Sequence, residues 1–202
     1  MRDYLLPYGN LREDKSNMRR ADIILITKCP KNLNPIQRRL IVKEIAKAAY
    51  QNLYFTSIVY RAPLPVFESN DKDASHPDLT KCSGCGIVLV TGIANPKPLK
   101  EYLQKFFSEI IDLTYPDHYA FKEKDITALT SAYKTLRSPS KYVMTTEKDA
   151  VRLREFDNME EPIKSALFYL PVGVNFLHDD KDKFDNLIVD YVRKNKRDNR
   201  IS

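Results

Sequence analysis

Glycine is scarce in this sequence. The chain has 202 residues and five glycines: Gly9, Gly84, Gly86, Gly92 and Gly173. A P-loop needs G-x-x-x-x-G-K-[ST] after a strand, and a dinucleotide fold needs G-x-G-x-x-G. None of the five glycines begins either motif. The sequence therefore carries no recognisable phosphate loop. Long apolar runs are also missing. None approaches the ~18 residues that mark a membrane-crossing helix. The opening MRDYLLPYGNLRED has no apolar h-region, so a secretory signal is not expected. Cysteine is rare: Cys29, Cys82 and Cys85. The odd count and the lack of a signal point to a reducing cytoplasm. CSGC at 82–85 is a C-x-x-C, readable as half a zinc site, as a redox pair or as a tight turn before a strand. A structural zinc site takes four ligands, usually from a second pair of similar spacing. No second pair exists, so no metal is expected. Histidine occurs three times, at His76, His118 and His178.

What is present is ordinary for a globular protein: 43% hydrophobic and 30% charged residues. The formal charge of +6 and pI of about 9.1 favour an anionic partner: nucleotide, phosphorylated substrate, nucleic acid or acidic membrane. Part of the excess sits in the tail YVRKNKRDNR, where cations suit a helix C-terminus.

Hydrophobic patterning divides the chain. Pro7 and Gly9 mark a turn in an irregular opening. The uninterrupted run Ile23–Ile26 predicts a buried parallel strand. Asn34 and Pro35 are a good N-cap and first turn for a helix in which Leu40, Ile41, Ile45 and Ala48 share a face. NLYFTSIVYRAP reads as a strand, and the polar, Pro-rich ESNDKDASHPDLTKCSGCG as a linker or long loop. From Ile87 the pattern alternates. IVLVTG, IIDLTY and KYVMTT read as strands. PKPLKEYLQKFFSEI, DITALTSAYKTL and EKDAVRLREF read as helices. SALFYLPVGVNFL reads as extended, and DKFDNLIVDYVRKN as a last helix. Strands alternating with helices predict α/β structure built of parallel βαβ units.

Chemistry is expected where strands end. In open α/β sheets ligands bind beyond the carboxyl ends of the strands. Pro116 ends one predicted strand and places Asp117 and His118 just past it. A histidine titrates near neutrality, and a carboxylate beside it suits acid–base work; it could equally be a turn residue. VTGIANPKPL offers a Gly turn and then Asn95, opening a helix whose amides suit an anion. In TTEKDAVRL the Thr146–Asp149 spacing is that of a capping box, so Asp149 reads as structural and Lys148 as the group freer to meet a phosphate. Arg19 and Arg20, just before the first strand, could bind phosphate bidentately or be a solvated helix end. His76 and His178 sit in polar loops without a pattern.

LLPYGNLRE, RRADIILITK, VTGIANP, YPDHYAF, TTEKDAVRL and YLPVGVNF occur in that order. Together they resemble the tetraacyldisaccharide 4'-kinase family, the lipid A 4'-kinases, over nearly the whole chain, with a Bacteroidetes-like flavour. The resemblance implies two α/β/α domains joined by a two-stranded ribbon, the larger of them P-loop-type. It implies that the half carrying the phosphate loop, the Mg²⁺-binding carboxylates and the aspartate base precedes this chain. Residues 1–62 would then end the nucleotide-binding domain and 63–86 be a linker. Residues 87–165 would form the smaller domain, and 166–202 the return strand and last helix. It implies ATP and Mg²⁺ in the intact enzyme and a lipid A precursor, a disaccharide 1-phosphate, as substrate. The location implied is cytoplasmic, peripheral to the inner membrane. His118 would orient the aspartate base across an interdomain cleft, and Arg20 would hold a phosphate. The rival reading is a basic, non-catalytic anion- or nucleic-acid-binding module. No RNA- or DNA-binding motif supports it, and nucleic acid is not expected as a partner. A non-catalytic remnant that keeps only headgroup affinity is the third reading.

Overall fold

A computed structural model describes residues 12–67 and 77–198, with side chains as far as Lys194. The turn expected at Pro7 and Gly9, most of LLPYGNLRE, and His76 lie outside these residues. The chain divides into two compact units. One is Met1–Val59 with Gly173–Ser202, and the other is Tyr60–Val172.

The first unit holds a three-stranded sheet. Its strands are β1 (Ile23–Ile26), β2 (Asn52–Tyr60) and β8 (Val172–Phe176), in the order β1-β2-β8. β1 and β2 run parallel, with Ile23 opposite Asn52. Helix α1 (Pro35–Ile45) joins them. Asn34 caps it by accepting from the Gln37 N–H at 2.8 Å, and Pro35 occupies the first turn. Two expectations change here. β1 is not buried throughout: Ile24 is buried, but Leu25 is 43% exposed. The reason is position, since β1 pairs only with β2 among the described residues. On α1, Leu40 is 62% exposed, while Ile41 and Val42 pack on Phe55, Cys29, Leu33 and Leu177. Ala48 lies past the helix end. Helix α6 (Lys181–Asp198) closes this unit.

The second unit is a five-stranded sheet between two helical layers. Its strands are β3 (Leu64–Pro65), β4 (Gly86–Thr91), β5 (Glu109–Thr114), β6 (Lys141–Thr146) and β7 (Leu167–Leu170), in the order β3-β7-β6-β4-β5. All neighbours are parallel except the short β3 on β7. β4 is buried along its whole length. Successive side chains on a strand point to opposite faces, and β4 shows what that does. Val88 and Val90 enter one core with Ile126, Leu129, Ala150, Leu153 and Ile163. Those partners come from α3 (Glu123–Thr135), α4 (Glu147–Leu153) and α5 (Glu161–Ala166). Ile87 and Leu89 enter the opposite core with Leu99 and Leu103 of α2 (Lys97–Leu103) and with Cys82 and Cys85. The result is the α/β fold expected from the alternating pattern. Each fully buried Val, Leu or Ile contributes roughly 1.5–3 kcal/mol, so these positions leave little room for polar chemistry.

α5 is a departure from the sequence reading, which took Ser165 and Ala166 as extended. Glu161 and Pro162 are ordinary first-turn residues, and Pro fits there because its missing N–H would have no helical partner anyway. A short 3₁₀ turn at Lys15–Arg20, capped by Asp14, also replaces part of the irregular opening. Leu64–Pro65 and Gly86, in the range expected to be linker, are strand residues of the second unit.

Candidate active site at the carboxyl ends of the strands

β4, β5 and β6 are adjacent and parallel, so their carboxyl ends meet on one edge of the second unit. Thr91 leads there into Gly92, Thr114 into Tyr115, and Thr146 into α4. The Tyr115 N–H donates to Thr91 O at 2.7 Å, which ties the first two ends together.

Pro116 to Tyr119 then form a tight turn, closed by the Tyr119 N–H donating to Pro116 O at 3.3 Å. His118 is the third residue of that turn, with φ of 59°. Left-handed backbone is uncommon for a non-glycine residue and costs roughly 1–2 kcal/mol. Histidine is among the residues that adopt it more readily, and Lys28, Ala46, His178 and Asp179 share it, so it fixes the shape of the turn without by itself marking a site. The imidazole is 76% exposed, held out from the sheet edge.

Asp117 makes the local contacts. Its Oδ1 accepts from the His118 N–H at 2.9 Å and from Lys148 Nζ at 2.7 Å. The hydrogen bond from Lys148 is the main reason its carboxyl lies below the ordinary 3.8; the His118 N–H adds to this, and partial burial opposes it. The His118 imidazole is 3.7 Å from Asp117 Oδ2, too long for a hydrogen bond. Asp117 thus secures the turn and leaves the imidazole free for another partner. The Lys148–Asp117 pair is about two-fifths exposed on both sides, so solvent screens it and its worth is in orientation and not in stability. Lys148, expected to be the freer cation, is therefore engaged.

Arg19 and Arg20 belong to the first unit, in the last turn of the 3₁₀ segment. Arg20 pairs with Glu13, and Arg19 O accepts from the Tyr50 hydroxyl. Asn95 is exposed; its Oδ1 accepts from the Lys97 N–H at 3.3 Å, at the start of α2. Of the residues singled out from sequence, the structure brings Asp117, His118 and Lys148 together. A cavity of about 260 Å³ lies nearby, lined by Leu89, Pro96, Lys97, Lys100, Asp112 and Thr114. It is smaller than a drug-sized ligand needs, and Lys100 and Asp112 in its wall pair with each other.

Asp149 is fully buried. Its Oδ2 accepts from the Gly92 N–H at 2.9 Å and from the Thr146 hydroxyl at 2.7 Å. Thr146 Oγ1 in return accepts the Asp149 N–H at 3.1 Å, the cap expected at the head of α4. The structural reading of Asp149 thus gains a long-range arm to Gly92 that the local pattern did not contain. Arg152, not singled out from the sequence, donates from Nη1 to Tyr119 O at 2.9 Å.

The C-x-x-C lies away from this edge. Cys82 and Cys85 are buried, free thiols in the core beneath α2. Burial, first, and the neighbouring Cys85 push the Cys82 thiol up to about 12. A thiol, unlike a thiolate, neither binds zinc well nor attacks. In the folded chain Cys82 should therefore react with iodoacetamide at pH 7.5 far more slowly than after unfolding, and elemental analysis should find no stoichiometric zinc. Rapid labelling, or zinc lost on changing Cys82 and Cys85 to Ser, would contradict this reading.

Comparison with known proteins gives the arrangement a context. A family model described as Tetraacyldisaccharide-1-P 4'-kinase matches residues 1–193. The chain belongs to that family. Relatives named Tetraacyldisaccharide 4'-kinase occur in Bacteroides thetaiotaomicron, 37% identical over 99% of this chain and 54% of the relative. Another, from Parabacteroides distasonis, is 40% identical over 94% and 51%. A third, from Flavobacterium johnsoniae, is 34% identical over 96% and 51%. The chain spans about half the length of the curated kinases it matches. No solved structure is significantly similar to it. Among the described residues no helix is long and apolar enough to cross a membrane.

Proposed function

We propose that this chain is part of a kinase that transfers the γ-phosphoryl of ATP to the 4'-hydroxyl of a tetraacylated glucosamine disaccharide 1-phosphate. The observation that carries this reading is the family match over residues 1–193. The geometry of the second unit supports it, since the exposed imidazole stands where α/β sheets hold their ligands.

In this reading the first unit is the closing part of the nucleotide-binding domain. His118 is the catalytic residue on this chain. Its imidazole N–H donates a hydrogen bond to the carboxylate of an aspartate base outside the chain, and so fixes the orientation of that base. Asp117 and Lys148 keep the turn in place. Arg20, with Arg19, meets a phosphate group, and Asn95 borders the substrate. The substrate's acyl chains call for an enzyme working at a membrane surface, which the family resemblance makes the cytoplasmic face of the inner membrane.

ATP and Mg²⁺ belong to the intact enzyme. The residues described here do not fit that pair by themselves. Among them no three His, Cys, Asp or Glu side chains are grouped to hold a metal ion, and the sequence has no phosphate loop. No step through the metal is assigned to this chain. Phosphoryl transfer is chiefly positioning and charge stabilisation, so a chain contributing one oriented group can still be indispensable.

The test is a chimera in which this chain replaces the matching segment of the Bacteroides thetaiotaomicron relative. With ATP, magnesium and the disaccharide 1-phosphate in detergent, it should form a product phosphorylated at the 4'-hydroxyl. A folded chimera that makes none overturns the proposal.

A further inference from the structure

α4 grips the turn that carries His118, beside a hydrogen bond between the Tyr119 hydroxyl and Asp125 of α3. Within five residues of chain, α4 sends three side chains to that turn or to the backbone beneath it. Lys148 reaches the Asp117 carboxylate at 2.7 Å. Arg152, one helical turn on, reaches Tyr119 O at 2.9 Å. Asp149, between them, holds the Gly92 N–H at 2.9 Å.

Gly92 is the floor of the turn. A Cβ placed on it would stand 3.5 Å from Pro116 O, 3.6 Å from Tyr119 Cβ and 3.1 Å from Asp149 Oδ1. The tight approach is that of Asp149 Oδ1, while the turn atoms stand at ordinary contact distance; it, and not an unusual φ, favours glycine here, since no glycine among the described residues has positive φ. Asp149 Oδ1 is itself buried with no hydrogen-bond partner among the described residues. Its nearest cation is Arg152, with Nη1 at 3.7 Å. An unpaired carboxylate oxygen in a closed site holds a nearby guanidinium by charge, because little water is present to screen the pair. Arg152 is 28% exposed, and its guanidinium lies between Asp149 Oδ1 at 3.7 Å and the Tyr119 carbonyl, to which it donates at 2.9 Å.

We infer that Arg152, seated on the buried Asp149, is the positioning residue for His118. The two ends of the turn are held at Asp117 and Tyr119, and His118 between them is kept in the left-handed conformation it would not choose alone. The role of Arg152 is to keep the imidazole aimed, without itself touching substrate. Lys148 is the outer, half-exposed strut of the same brace, and Arg152 is the inner one. This inference rests on the catalytic role proposed for His118, and its test separates the two.

The test uses Arg152→Ala and Arg152→Lys, each in the 202-residue chain for NMR and in the chimera for kinetics. His118 is read by the strong intraresidue HN–Hα NOE that positive φ produces. In Arg152→Ala that NOE should weaken and the His118 and Tyr119 amides should shift, while amides in β4 and β6 stay in place. The chimera's kcat should fall about 10–100-fold, with KM for the disaccharide nearly unchanged, as expected of a catalytic group slightly misplaced. Arg152→Lys keeps a donor and a charge and should recover most of both readouts. An unchanged turn with unchanged kcat overturns the inference. So does an unchanged turn with a collapsed kcat or a raised KM, which would make Arg152 a substrate contact. If Arg152→Ala scrambles β4 and β6, Arg152→Lys decides: a native fold with the NOE lost overturns the inference, and a native fold with the NOE kept supports it. A released turn with normal kcat supports the brace and removes His118 from the chemistry.

Discussion

Residues 1–202 incubated alone with ATP, magnesium and the disaccharide 1-phosphate should give no phosphorylated lipid above background. The expectation follows from a count of parts. Phosphoryl transfer needs a phosphate cradle, a cation on the transferred group, a metal site and an oriented nucleophile. The five glycines begin no phosphate loop. No metal-holding group of side chains occurs among the described residues. What the candidate positions offer is the exposed His118 imidazole with Lys148 and Arg20, both already paired with carboxylates. Such groups can meet an anionic headgroup weakly but cannot hold ATP in line with a hydroxyl. The chimera, assayed beside the isolated chain, is the positive control. Product from the isolated chain would mean that it has a phosphate site of its own, and would overturn this account of its chemistry.

Much of the second unit is legible from sequence for a simple reason. Ile87, Val88, Leu89 and Val90 form an uninterrupted apolar run, and a strand reads that way when both its faces are covered. Asn34 before Pro35 and Thr146 before Asp149 announce helix starts through hydrogen bonds spanning three residues. The less legible parts depend on distance. Leu25 and Leu40 are apolar but exposed, because burial depends on which neighbours the unit supplies and not on the residue's own character. α5 is hidden because SALFYL is as apolar and aromatic as a strand, and only Pro162 hints otherwise.

The site divides the same way. Pro116 signals a strand end, and that places His118 correctly at the carboxyl edge. The sequence pairs Asp117 with His118 because they are neighbours, yet the carboxylate turns to Lys148 and to the His118 backbone. Lys148 reads as free because its partner lies 31 residues away, and Arg152 passes unnoticed because its carbonyl partner lies 33 away. Gly92 reads as a turn residue, whereas it serves as the floor on which the histidine turn rests. No local pattern encodes these contacts, since each needs the sheet to bring its strand ends together first.

His118→Ala in the chimera carries the second large effect. A group that orients or assists a general base is typically worth roughly 10²–10⁴-fold in rate. The same side chain is 76% exposed, so removing it takes little from the core. Substitutions of that kind change stability by about 0.5 kcal/mol or less. Alanine also tolerates positive φ no better than histidine, so the turn is not relaxed by the change. Activity and stability should therefore separate. The decisive measurement is kcat of the chimera with and without His118→Ala, beside the melting temperature of each. A kcat lowered by about 10²–10⁴-fold at an unchanged Tm is the predicted result. A His118→Ala chimera that turns over at the parent rate would contradict the central claim that this turn carries the chemistry of the chain.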